Sequence, residues 1–400
     1  MEDRSRFFSE LISALSLMMD LDENRKLYHA WRVAILAEKL ARKILPEYRT
    51  HIFYAGLLHD IGAISLPEHV VHYTDIKEHF TNPILFSHPE KSAQIVRQIN
   101  PLVIAADMIK DHHEQWDGSG YPRGLSGNNI NLGGQILRIC DTFDILARVK
   151  PPLSLEGMKT SLSARRGTEY SELIYELMVT TLEEGDFFNE IMDEKKISEQ
   201  FMNIIKALPP IDLSYCRSEA DEIIRVFAKV IDAKHSYTAG HSERVAEYTY
   251  KLAKAMGMKE EEAQRLKLAG YLHDAGKVAV PRSILDKPGR LTMDEFKLMK
   301  RHPVYTMEIL SMVSFLKDLV VIAGGHHERY DGSGYPDGLA GEAIPFGARL
   351  MAVADAYDAM TSLRPYQPQR NFAEAKEVIE KNAGSQFDPK VAKVAVKVLP

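Results

Sequence analysis

His326-His327-Glu328-Arg329-Tyr330-Asp331-Gly332-Ser333-Gly334-Tyr335-Pro336 has a second copy in this chain of 400 residues, His112-His113-Glu114-Gln115-Trp116-Asp117-Gly118-Ser119-Gly120-Tyr121-Pro122. The two lie 214 residues apart (326 − 112). At the same offset His59-Asp60 meets His273-Asp274, His88-Pro89 meets His302-Pro303, and Asp141 and Asp144 meet Asp355 and Asp358. Upstream, His29 with Arg32-Val33-Ala34 matches His241 with Arg244-Val245-Ala246 at an offset of 212, so the second copy carries two extra residues in between. A repeat this long is not a solenoid unit; it marks a duplicated domain.

Ten of the 15 histidines sit on matched positions. Shared descent preserves spacing, but it gives no reason for histidine to be the residue type retained. These ten are therefore read as chemistry. His51, His69, His72, His79 and His235 have no repeat partner and are read as surface or loop residues.

Between the matched blocks the pattern is helical. Val245, Tyr248, Leu252 and Met256 recur at three- and four-residue steps, and Ala263, Leu266, Leu268 and Leu272 supply another inward face. Similar patterns run through 33–44, 53–59 and 223–232, while Leu11, Leu15 and Met18 read as helix core. Gly and Pro cluster in 117–134 and 331–345, which predicts a long loop after each HHE segment. Strand-like alternation is sparse, so the expected class is all-α. The expected organisation is an N-terminal domain over 1–195, a connector over 196–221 containing Leu208-Pro209-Pro210-Ile211, and a C-terminal domain over 222–400. Residues 150–195 carry no motif and are expected to be helices completing the first copy. The charged run 193–196 reads as a solvated face.

Composition narrows the function classes. Fifty Lys+Arg against 56 Asp+Glu leave a net charge of −6, which argues against a duplex nucleic-acid binder. Two cysteines, Cys140 and Cys216, exclude a disulfide framework and make a thiolate zinc site a poor reading. No apolar run approaches the ~18 residues of a membrane span, and Met1-Glu2-Asp3-Arg4-Ser5 does not open a signal peptide. A cytoplasmic protein without a membrane partner is expected.

In the second copy His241, His273, Asp274, His302, His326, His327 and Asp355 exceed the needs of one ion and suit two neighbouring ions. Imidazole and carboxylate together fit iron, manganese, nickel or zinc. A carboxylate beside an imidazole can bridge two ions, and a pair of ions ~3.5–4 Å apart acidifies a water and clamps the oxygens of a phosphoryl displacement. Adjacent helical residues diverge by about 100°, so His326 and His327 both ligate only where a helix ends. The downstream Gly- and Asp-rich loop predicts such an end, with His326 as first choice.

This ordered series, His273-Asp274-Ala275-Gly276-Lys277, then His326-His327-Glu328 with Asp331-Gly332-Ser333-Gly334-Tyr335-Pro336, then Asp355, Asp358, Thr361, Ser362, Arg364, Pro365 and Tyr366, resembles the HD-GYP family of bacterial phosphodiesterases, a branch of the HD-domain phosphohydrolases. The resemblance covers about 222–400 strongly and about 20–150 more loosely. It implies a five-helix HD core with further helices in each copy, and a cyclic dinucleotide substrate, cyclic di-GMP or 3′,3′-cyclic GMP-AMP, opened by a metal-activated hydroxide to a linear dinucleotide. One ion would take His241, His273, Asp274 and Asp355; the other would share Asp274 and take His302, His326 and His327. The resemblance favours iron or manganese. It makes Asp274 and Lys277 catalytic residues, with Lys277, Tyr335, Thr361, Ser362 and Arg364 contacting substrate, and offers the GYP loop as a docking surface for enzymes that synthesise the signal. Tyr237 stands where some members carry a glutamate for a third ion, so a two-ion centre is implied; Gln367 stands where a basic residue often follows, which weakens one expected phosphate contact.

The first copy retains His29, His59, Asp60, His88, His112, His113 and Asp141 as a second set of metal ligands. Yet Ala63 replaces Lys277, Ala147-Arg148 replace Thr361-Ser362, and Lys150 replaces Arg364. Losing a phosphate-facing cation costs several kcal/mol of transition-state stabilisation, and lysine does not reproduce arginine's bidentate fork. A copy that binds without turnover is the preferred reading, against a second active site of different preference. For the whole chain two rivals to hydrolysis of a cyclic dinucleotide stand: a non-hydrolytic nucleotide sensor or scaffold, and an HD hydrolase of another nucleoside phosphate. Lys277 and Arg364 count against the first, the GYP loop against the second.

Overall fold

A computed structural model describes residues 2–22, 25–26, 28–66, 68, 70–209, 219–234, 240–362 and 370–400. Arg364, Tyr237, Gln367, His69, His235 and Cys216 lie outside the described residues. The chain divides into two compact units, Met1–Leu21 with Arg25–Glu219, and Asp22–Asn24 with Ala220–Pro400. The described residues are helical, and extended pairing among them is limited to Leu21–Asp22 with Arg25–Lys26 and two isolated bridges. No described helix is long and apolar enough to cross a membrane.

Each unit has a core of five helices in the same order. In the first they are His29–Ile44, Arg49–Leu58, Pro83–Val96, Val103–Lys110 and Leu132–Ala147; in the second, His241–Ala255, Glu260–Leu272, His302–Ser311, Val320–Gly324 and Phe346–Thr361. The apolar positions that suggested helices are the ones buried: Val245, Leu252, Ala263, Leu266 and Leu272 are all under 5% exposed. Each such side chain removed from water contributes roughly 1.5–3 kcal/mol when large.

The duplication runs further than its motifs. Helices Leu155–Ser163 and Glu172–Leu182 correspond to Phe372–Lys381 and Pro389–Val398 at an offset of 217. Their N-caps correspond too: Ser154 with Asn371, and Ser171 with Asp388, each side chain accepting a first-turn amide. The link between each pair closes the same way, Gly167 N–H donating to Tyr170 O and Gly384 N–H to Phe387 O, both at 2.8 Å.

The expected connector does not begin at residue 196. Helix Glu194–Ala207 spans that boundary and packs on the first unit, where Phe201 stacks on Trp31 with centroids 3.9 Å apart and planes at 4°. An amphipathic helix with a buried aromatic anchor belongs to the core it covers.

Candidate metal centre

His241 is the first residue of its helix, preceded by Gly240 at φ 71°, a left-handed conformation that glycine adopts without a Cβ clash. This turn aims the imidazole along the helix's own start. One helix on, the turn after His273-Asp274 runs close against helix His302–Ser311: a Cβ on Gly276 would lie 2.0 Å from His302 O. Thr306 stitches the contact, its hydroxyl donating to His273 O at 3.0 Å and accepting from Gly276 N–H at 2.9 Å. That close approach is what brings Asp274 to His302.

Asp274 divides its oxygens between two pairs of histidines. Oδ2 lies 3.5 Å from His241 Nε2 and 3.3 Å from His273 Nε2, while Oδ1 lies 3.4 Å from His302 Nε2 and 3.8 Å from His326 Nε2. Asp355 Oδ1 is 3.4 Å from His241 Nε2 and 4.0 Å from His273 Nε2. The ligand-type atoms gather as His241–His273–Asp355, His273–Asp274–His326 and His302–His326–His327. The helix Val320–Gly324 ends just before His326, so both adjacent histidines turn toward one cluster, their ring centroids 4.1 Å apart.

Four of the five imidazoles, all but His327, have Nδ1 hydrogen-bonded to the scaffold. Nδ1 of His273, His302 and His326 donates to the carbonyls of Gly270, Met299 and Ala323 at 2.8, 2.8 and 2.6 Å, and His241 Nδ1 donates to Asp358 Oδ2 at 2.7 Å. In all four rings this turns Nε2 toward the cluster, the arrangement of metal-ligating histidines. Nε2 of His241, Nε2 of His273 and Oδ1 of Asp274 are buried without a hydrogen-bond partner. Buried polar atoms that converge without hydrogen-bond partners are costly unless a cation satisfies them. The residues fit a metal.

Electrostatics agree. Burial pushes His302 down to about 3 and His326 down to about 4, so both rings are neutral at pH 7 with their one proton on Nδ1. Burial opposes ionisation of Asp274 and Asp355, but the surrounding imidazoles, and for Asp274 also Lys277, hold both carboxyls well below the usual range.

The expected substrate contacts divide. Lys277 reaches the centre, its Nζ 2.6 Å from Asp274 Oδ2. Tyr335 lines it, its ring centroid 4.8 Å from that of His327. Thr361 and Ser362 sit at the end of helix Phe346–Thr361, where Thr361 donates to Tyr357 O at 2.9 Å, and Ser362 accepts from Arg244 at 3.0 Å and donates to Asp358 at 3.2 Å. Asp358 is the group that reading the motif for ligands overlooked; it holds His241, and its recurrence as Asp144 was the available signal.

The first copy repeats the geometry. Asp60 Oδ2 is 3.1 Å from His29 Nε2 and 3.2 Å from His59 Nε2, and Oδ1 is 3.2 Å from His88 Nε2 and 3.6 Å from His112 Nε2. His29, His59 and Asp141 form one ligand group; Asp60, His88, His112 and His113 form another. Where Lys277 stands in the second copy, Ala63 packs with Leu66 and Leu85 in an apolar cluster. Arg148, the counterpart of Ser362, donates to Asp144 at 2.8 Å, so this replacement conserves a scaffold bond. A cavity of about 460 Å³ opens on this centre, lined in part by His29, Asp60, Asp141, Arg138 and Glu169. His79 is a correction: it is buried beside the cavity that helix Ile76–Thr81 helps to line, its Nε2 donating to Tyr73 O at 2.7 Å and its Nδ1 bonded to Tyr121 OH at 2.7 Å.

The comparisons with known proteins place this geometry. The family model described as HD domain matches residues 13–165 and 225–391. The chain is 33% identical over 315 residues to 3'3'-cGAMP-specific phosphodiesterase 3 of Vibrio cholerae, covering 78% of this chain and 67% of that one. It is 44% identical over 171 residues to the cyclic di-GMP phosphodiesterase response regulator RpfG of Xanthomonas campestris, covering 42% of this chain and 45% of that protein. The crystal structure of a cyclic GMP-AMP specific phosphodiesterase of V. cholerae, V-cGAP3, superposes with a TM-score of 0.67 at 26% identity, covering 98% of both chains. With two matched segments, the shared helical fold and the motif series in each copy, the chain belongs to the HD domain family, in its HD-GYP branch.

Proposed function

We propose that the second copy is a metal-dependent phosphodiesterase that opens a 3′,3′-linked cyclic dinucleotide to its linear form. The observation that carries this is the split of Asp274 between two histidine pairs, with Lys277 at the same carboxylate. Two divalent ions in such a site polarise a phosphodiester and acidify a water at neutral pH. His241, His273 and Asp355 would hold one, His302, His326 and His327 the other, with Asp274 between them. The imidazole-carboxylate set suits iron or manganese, with nickel and zinc also compatible.

The chain's own groups orient the reaction. Lys277 places an ammonium beside Asp274, where it meets the charge that develops on the phosphoryl oxygens. Tyr335 forms a wall beside His327, and Glu328 ties the GYP loop by accepting the amides of Asp337 at 2.7 Å and Leu339 at 3.0 Å. Arg364 is proposed as a further phosphate contact. The exposed Asp331 and Ser333 offer this loop as a docking surface for signal-synthesising enzymes. The setting proposed is the cytoplasm.

Of the two messengers, cyclic GMP-AMP is favoured. The relatives aligned across most of this chain, at 78% and 92% coverage, carry that substrate in their names, whereas RpfG, named for cyclic di-GMP, aligns over 42%. The first copy is proposed to bind without turnover, since an apolar cluster stands where the lysine would be. Incubating metal-loaded protein with cyclic GMP-AMP, cyclic di-GMP and linear nucleotides tests the reading. Linear dinucleotide should appear from a cyclic substrate, and Asp274→Ala should abolish it. Binding without turnover by the wild type would favour the sensor reading, and substantial turnover by the variant would make the first copy active.

A further inference from the structure

The first copy breaks its own rule at one histidine. His59, His88 and His112 donate Nδ1–H to the carbonyls of Gly56, Leu85 and Ile109 at 2.8, 2.6 and 2.6 Å, and His29 donates to Asp144 at 2.7 Å. His113 faces no acceptor there. Its Nδ1 lies 3.0 Å from Nη1 of Arg138, and a guanidinium only donates. Nδ1 of His113 must therefore accept.

The consequence holds whichever nitrogen turns to the ligand cluster. If it is Nδ1, the lone pair is already occupied by the arginine N–H. If it is Nε2, that nitrogen carries the proton of the neutral ring. A fixed positive charge also stands one hydrogen bond from the ligand group, and arginine cannot shed it.

Arg138 is built in rather than passing by. It is 7% exposed; Nη2 donates to Glu169 at 2.9 Å, and the same Glu169 oxygen accepts from Thr142 at 2.9 Å. None of this network exists in the second copy. The 214 offset puts Ala352 opposite Arg138 and Ala356 opposite Thr142. Gln386 stands opposite Glu169, since Trp116 N–H donates to Glu169 O as Tyr330 N–H donates to Gln386 O.

We propose that the first copy is a one-ion site: a single divalent transition metal held by His29, His59, Asp60 and Asp141, with the Arg138 guanidinium in place of the second ion. Asp60, His88 and His112 still face one another, but lose their fourth member to the arginine. The inference rests on the reading of both clusters as metal sites.

The test counts ions in the full chain with the second copy emptied by His273→Ala and His302→Ala. The protein is stripped with chelator, reloaded with Mn²⁺, desalted and analysed by elemental mass spectrometry. One ion per chain is expected, with the electron paramagnetic resonance of an isolated Mn²⁺. Adding Arg138→Ala and Glu169→Gln, which restores the second copy's residues, should raise the count to two and give a spin-coupled pair. In the otherwise wild-type chain, Ala352→Arg with Gln386→Glu should remove one ion from the second copy. Two ions with Arg138 in place, no ion at all, or folded variants that leave both counts unchanged would overturn the proposal. Because no turnover is measured, a failure of the phosphodiesterase reading shows up separately, in the substrate panel.

Discussion

His241 donates its Nδ1 hydrogen to Asp358 across 2.7 Å, and Arg244 grips the same carboxylate at 2.6 Å. The pair ties the first residue of one helix to the last turns of another, 117 positions away. Removing Asp358 should free the His241 ring to rotate and take from Arg244 its carboxylate partner. Asp358→Ala is expected to weaken metal binding by about 10–100-fold, and Asp358→Asn, which keeps an acceptor, should recover part of it. Metal titration monitored by equilibrium dialysis reads this directly.

Lys277 is expected to act on the reaction and not on loading. Lys277→Ala should lower kcat by about 100-fold, the scale of losing one preorganised charge contact. The ion count should stay the same, since ammonium is not a ligand. A variant that lost metal in parallel with activity would reassign Lys277 to holding Asp274 in place.

Metal uptake should release a proton. Burial disfavours the His241 imidazolium, but Asp274, Asp355 and Asp358 outweigh it and hold the ring well above its usual 6.5 in the metal-free chain. An ion at Nε2 must expel that proton, so apparent affinity should rise with pH up to the raised value and level off above it. One proton changes affinity about tenfold per pH unit. Calorimetry in buffers of different ionisation enthalpy counts it; no buffer dependence at pH 7 would contradict the assignment.

Glu328 belongs to the HHE motif but serves the loop. Both of its carboxylate oxygens take backbone amides of residues 337 and 339, and the residue is 3% exposed. Glu328→Ala leaves two amides without their acceptor, which costs roughly 1–3 kcal/mol each if they stay buried. The expected result is a lowered Tm and a raised KM with metal content intact. Loss of an ion instead would make Glu328 a ligand.

The ligand set was legible because metal chemistry demands residue types. Histidine and aspartate recurring in the same order at offsets of 212 and 214 are not demanded by packing, so His29 to Asp141 and His241 to Asp355 stood out. The scaffold bonds of Thr361 and Ser362 were not legible, because a hydroxyl beside a motif looks the same whether it faces substrate or caps its own helix. The helices 155–182 matched nothing by motif, yet fold as the counterparts of 372–398: their shared content is capping and apolar spacing, which many residues satisfy.

Spacing and residue type alone determined the duplication, the helical class and the seven ligand candidates in each copy, since those depend on identity along the chain. Only the folded chain decided which imidazoles turn Nε2 toward the cluster, that Asp274 faces two ways, and that Arg138 closes off His113. These are matters of a few ångströms between residues tens of positions apart, set by how helices pack and which hydrogen bonds their turns leave open.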